Sequence, residues 1–262
     1  MRSPATRLLA LAVAMPALAQ QQTRVTFEGS YDQGQTWHGG TIPYAPGTTL
    51  IIRARISLIN YGTSTLVGLA GITFQPKLTN FSPAQGDVVL PFSRSDGGGV
   101  PEDPQTNLGR IAPFAASGMG TSSTSGLLTA HVDPGNTLRF AGANAVTQST
   151  NLAWGVASGQ LPRHLAGTNF REGLDPVVFR YAVQLNSVTT NTEWLATVDL
   201  GSILQQRASW YKPTMDTSSY LAPVTQDTIV PLRIVIPSPG SIAVALVGLT
   251  LGLRRRRVQF ET

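Results

Sequence analysis

The chain alternates apolar and polar positions in short bursts separated by glycine, proline and asparagine. Residues 23–28 (Thr-Arg-Val-Thr-Phe-Glu) alternate as a half-buried strand does. Residues 49–59 do so most clearly. Ile52, Ala54, Ile56 and Leu58 share one face, and Arg53, Arg55 and Ser57 the other. Their β-branched content favours strand over helix. Asn60-Tyr61-Gly62 predicts a turn and residues 65–74 the next strand. Residues 127–132 and 137–141 flank Asp133-Pro134-Gly135-Asn136, a strong turn signal, so a hairpin is expected there. A short strand is expected over 152–157. A second clear strand covers 176–185, where Val178, Arg180, Ala182 and Gln184 alternate with Val177, Phe179, Tyr181, Val183 and Leu185. Residues 193–200 follow as a strand. Residues 203–211 are read as a strand, or as the best place for a short helix. Residues 228–236 close the pattern, and Pro231 makes that segment an edge strand or a bulged one.

Between these bursts the chain is loop-like. Residues 29–47 are rich in glycine and proline, and 82–107 are loop broken only by 88–90. Residues 118–126 are a Ser/Thr/Gly stretch expected in an exposed loop. Residues 69–74 (Leu-Ala-Gly-Ile-Thr-Phe) recur loosely at 165–170 (Leu-Ala-Gly-Thr-Asn-Phe). A duplicated half would explain this, but chance in a Gly- and Ala-rich chain explains it better. Many short strands and no long amphipathic helix predict an all-β chain folded as a β-sandwich. Ig-like, cohesin-like and jelly-roll arrangements all fit.

The two ends follow other rules. Arg2 and Arg7 precede the apolar residues 8–15, Pro16 ends that run, and Ala17-Leu18-Ala19 is an Ala-x-Ala site. This is a secretory signal over residues 1–19, with cleavage expected after Ala19. At the other end Pro237-Ser238-Pro239-Gly240 precedes the uncharged run 242–253, then Arg254, Arg255, Arg256 and Arg257. Read as a helix that run reaches about 18 Å, short against a hydrocarbon core of about 30 Å. The arginines act as a membrane stop on the cytoplasmic side. A Pro-x-Pro motif, an apolar helix and an arginine cluster together resemble the PEP-CTERM sorting signal of bacterial surface proteins, in a variant form with Ser238 in the middle position. The resemblance covers only the last residues, 236–262. It implies recognition by an exosortase-type membrane transpeptidase, removal of the tail and transfer to the cell surface, often alongside exopolysaccharide. A plain membrane anchor is the alternative. Three parts are thus expected: the signal 1–19, a sandwich domain 20–235, and a sorting segment 236–262. The first and last are expected as apolar helices separate from the sandwich.

Composition changes the picture in three ways. The chain carries a net charge of +5, but the excess lies in the terminal arginines and the body is balanced. Its basic residues are scattered along the sequence, which predicts no nucleic-acid stripe. Only 13% of residues are charged, against about 25% in an ordinary soluble domain, so Thr, Ser, Asn and Gln do most of the solvating. There is no cysteine, so stability must come from an apolar core.

No catalytic constellation stands out. His38, His131 and His164 form no shared metal spacing, and no Gly-x-Ser-x-Gly elbow is present. A glycoside hydrolase would need two carboxylates facing across a cleft; Glu28, Asp32, Glu193 and Asp199 are the candidates near strand ends. Asp96, Glu102 and Asp103 sit among glycines and prolines in a loop that would suit calcium, although an ordinary solvated loop explains them as well. No other cofactor is indicated. Trp37, Trp210 and Tyr211 are the candidate carbohydrate contacts, because an amphipathic ring stacks on a sugar face, while Trp154 and Trp194 are expected in the core. The expected function is a non-catalytic, exported surface or matrix protein, with a carbohydrate-binding module and a hydrolase as alternatives.

Overall fold

The computed structural model describes residues 21–59, 68–92, 108–111, 114, 128–141, 156–159, 175–187, 193–200, 207–211 and 219–237. The signal, the calcium candidates Asp96, Glu102 and Asp103, Trp154, His164, the repeat copy at 165–170 and residues 238–262 lie outside them. So do the two terminal helices expected from the sequence. Among the described residues no helix is long and apolar enough to cross a membrane.

The strands are β1 (Gln22–Ser30), β2 (Thr41–Pro43), β3 (Thr49–Ile59), β4 (Gly68–Phe74), β5 (Pro76–Leu78), β6 (Val88–Val89), β7 (Gly109–Arg110), β8 (Thr129–Val132), β9 (Leu138–Ala141), β10 (Val156–Gly159), β11 (Val177–Gln184), β12 (Glu193–Val198), β13 (Arg207–Tyr211), β14 (Ser219–Pro223), β15 (Ile229–Val230) and β16 (Leu232–Val235). One sheet has the order β15-β1-β3-β11-β6, with β7 also on β11. A second runs β10-β4-β13-β14 and a third β2-β16-β12-β5-β9-β8.

Two strand pairs tie the sheets into a sandwich. β4 lies in the second sheet and β5 in the third, and buried Gln75 sits at the joint. Its carbonyl accepts from the Asp199 amide at 2.9 Å, and its side-chain amide donates to the Phe140 carbonyl. The expected closing strand is divided the same way. β15 pairs in parallel with β1, and β16 pairs with β2 and β12 in the third sheet. Pro231 stands between them. Without an amide donor it cannot continue one ladder, so the chain changes sheets there. Gly29 lies under this crossing: a Cβ there would meet Ile42 Cδ1 at 2.8 Å.

One core draws on all three sheets. β3 contributes Ile52, Ala54, Ile56 and Leu58, the face its alternation predicts. Phe140 packs against Phe179 and Tyr181 at centroid separations of 5.4 and 4.6 Å. β11 is buried on both sides. Its register shifts between Val177 and Phe179, so Val178 and Phe179 both join the main core. Its other side places Ala182 with Ile51 and Leu108, against which Trp37, Leu90 and Phe92 pack. The Asp133 hairpin forms as expected. The Gly135 and Thr137 amides donate to Asp133 Oδ1, each at 3.0 Å. Residues 207–211 are strand, not helix. β2, β5, β7 and β14 have no counterpart in the sequence reading.

Candidate functional site

The carboxylates nominated by sequence hold the structure together. Glu28 accepts from Arg53 Nε at 2.6 Å and from Arg55 at 2.8 Å. Glu193 pairs with Arg233 at 2.6 Å. Asp199 accepts from Arg139 and lies 3.8 Å from Lys77. Asp32 organises the loop after β1. Its Oδ1 accepts from Ser30 Oγ at 2.6 Å and the Thr36 amide at 2.9 Å, and its Oδ2 from Thr36 Oγ1 at 2.5 Å. The Ser30 and Thr36 hydroxyls and the Thr36 amide hold this carboxyl well below the usual carboxylate range. An acid kept ionised by such partners cannot donate a proton near neutrality. The pattern Ser30-x-Asp32-x-Gly34-x-Thr36-Trp37 was the signal available: short acceptors and donors two residues apart around a glycine at φ 88°.

Three of the scattered basic residues, Arg53, Arg55 and Arg180, meet on the face of the first sheet opposite the main core. Register sets Arg53 opposite both Glu28 and Arg180. Arg55 reaches Asp175 at 3.0 Å as well as Glu28. The Arg53 guanidinium carbon stands 4.1 Å from the Trp37 ring centroid and that of Arg180 stands 5.4 Å away. Trp37, expected to offer its ring to a sugar, is half-buried beneath arginine and donates Nε1–H to the Gly34 carbonyl at 2.9 Å.

The other aromatic candidates require correction. Trp210 is fully buried and Tyr211 nearly so. Both lie on β13, which is paired on one side with β4 and on the other with β14. The indole Nε1–H of Trp210 donates to Thr23 Oγ1 at 3.1 Å. A ring used this way has no face left for a ligand. Trp194 is buried as expected.

An open groove of about 630 Å³ lies on the described surface. Its walls come from three places: Tyr31 and Gln33 on the Asp32 loop, residues 43–51 from the end of β2 to the start of β3, and Ile236 and Pro237 after β16. No charged side chain lines it. Tyr44 forms its floor and packs edge-on against Trp194, 6.2 Å away. The Tyr44 amide donates to the Val235 carbonyl at 2.8 Å, which ties this wall to the end of β16. The Tyr44 hydroxyl donates to the Thr48 carbonyl and accepts the Leu185 amide at 2.8 Å. Tyr31, 38% exposed at the mouth, donates to the Pro43 carbonyl.

Burial, with the nearby Tyr44 adding to it, pushes the Tyr31 phenol up to about 12. Burial pushes Tyr181 higher still. Between pH 10 and 12 the folded chain retains a Tyr31 proton that the unfolded chain releases. Stability therefore falls as pH rises through that window. The ultraviolet difference titration of wild type against Tyr31→Phe should show one phenol with a midpoint near 12. A midpoint at 10 would mean the ring stands free of the groove wall.

The remaining candidates stay apart. His38 and His131 are both exposed. Among the described residues no three His, Cys, Asp or Glu side chains are grouped to hold a metal. Pro237 is described and half-buried; Ser238, Pro239, Gly240 and the four arginines lie outside.

No family model matches the chain, and no curated protein matches it. Solved structures resemble it distantly. The seventh ScaB type I cohesin of Pseudobacteroides cellulosolvens aligns over 83% of this chain and 93% of its own, at 10% identity and a TM-score of 0.39. A type III cohesin module from the cellulosomal ScaE cell-surface anchoring scaffoldin of Ruminococcus flavefaciens aligns over 88% and 97%, at 14% identity and a TM-score of 0.36. Matches this distant carry nothing about ligand or partner.

Proposed function

We propose that the chain is an exported, non-catalytic β-sandwich module presented at the cell surface or in the extracellular matrix. An exosortase-type transpeptidase is its sorting partner, and exopolysaccharide belongs to the matrix it joins. One observation carries this reading: the Pro-Ser-Pro-Gly motif begins two residues after β16 ends at Val235, and residues 235–237 are partly exposed. A membrane enzyme could reach a motif placed there without unfolding the sandwich. The non-catalytic part rests on the candidate carboxylates, each of which is engaged by arginine or by loop donors.

Intact mass and fractionation of the mature protein test the reading. A surface-exposed product lacking residues 1–19 and the tail is expected. Replacing Arg254, Arg255, Arg256 and Arg257 with glutamine should abolish display and leave the precursor in the membrane. Unchanged display of that variant would overturn the sorting assignment.

A further inference from the structure

The groove has a chemistry that selects its occupant. It carries rings and aliphatic groups and no charge. Apart from the exposed Gln33 side chain, its polar side chains are bonded internally. Both tyrosine hydroxyls donate to backbone carbonyls, Thr48 Oγ1 donates to the Ala45 carbonyl at 2.7 Å, and Thr49 Oγ1 accepts from Gln184 at 3.0 Å. A sugar needs placed donors and acceptors as well as a ring to stack on. An apolar, uncharged polypeptide segment needs only the rings.

Such a segment is tethered to the groove. Pro237 is part of the wall, and the uncharged run 242–253 begins after four further residues. Four residues reach at most about 14 Å when extended. A tether that short holds its cargo at a local concentration on the order of millimolar. We propose that this groove is a binding site for an apolar polypeptide segment, and that its first occupant is the chain's own run 242–253 before the tail is removed. Docking would cover the run during export. Removal of the tail would then open the groove on the displayed protein. This rests on the proposed function only in assuming that the tail is later cut away.

The absence of cysteine makes a disulfide test clean. In the purified full-length chain, Gln33→Cys is paired with Leu246→Cys. The control pairs Leu246→Cys with Ala130→Cys. Ala130 is exposed on β8, which lies five strand steps across the third sheet from β2, or about 24 Å. Under mild oxidation the Gln33 pair should close within one chain about tenfold faster than the control, as proximity requires. Adding Leu249→Asp to the Gln33 pair should return it to the control rate, because a charge does not enter an apolar groove. Equal rates for the two pairs, or disulfides formed only between chains, would overturn the proposal. No transpeptidase is present in this assay. A failed crosslink and a failed display experiment are therefore separate results.

Discussion

Replacing Asp87 by alanine should cost the fold about 3–5 kcal/mol, since each buried donor left without its acceptor costs about 1–3 kcal/mol. Asp87 is 3% exposed and gathers four donors. Oδ1 accepts the amides of Asn186 at 2.6 Å and Ser187 at 2.8 Å; Oδ2 accepts the Ser82 amide at 2.9 Å and Ser187 Oγ at 2.7 Å. The side chain thus fastens the turn before β6 to the end of β11. Leu185, the neighbour of Asn186, donates to the Tyr44 hydroxyl beneath the groove. The loss should therefore spread from the sheet end to the groove floor. Asp87→Asn keeps one carbonyl acceptor and should cost less, about 1–2 kcal/mol. Denaturant unfolding measures both, and amide exchange at Asn186 and Ser187 should quicken in the alanine variant. If the alanine variant is as stable as wild type, the four contacts do not hold this junction.

Trp210→Ala should be the costliest single change in the core, about 3–5 kcal/mol. The side chain is fully buried, and its loss also removes the indole N–H that Thr23 Oγ1 accepts at 3.1 Å, leaving that hydroxyl only its own bond to the Ala222 carbonyl. A change of this size lowers the melting temperature by about 6–20 °C in a domain of this length. Trp210→Phe fills part of the space and should recover about half of the loss. The pair also separates a core role from a sugar-contacting one. A contact residue would weaken glycan binding and leave the melt unchanged, and that outcome would refute the buried position.

Local rhythm made much of this architecture legible before any coordinates. β3 spans the residues that its alternation marks, because a strand with one buried face repeats every two positions. The Asp133 turn formed because its aspartate satisfies two backbone amides within four residues. Pro231 was read as the mark of an edge or bulged strand; it stands instead where the chain crosses between sheets. β2, three residues long in a glycine-rich stretch, was hidden because its only order is pairing to the distant β16.

The amino-acid order alone determined the period of the strands and the sites of the sharp turns, since each depends on neighbours within a few positions. Tertiary structure decided which residues met. It stacked Arg53 and Arg180 on Trp37, buried Trp210 between β4 and β14, joined Asp87 to donors 99 and 100 positions away, and built the groove from three separate segments. The physical reason is register: the two-residue period says which way a side chain points, but only the pairing of strands remote in the chain says what it points at.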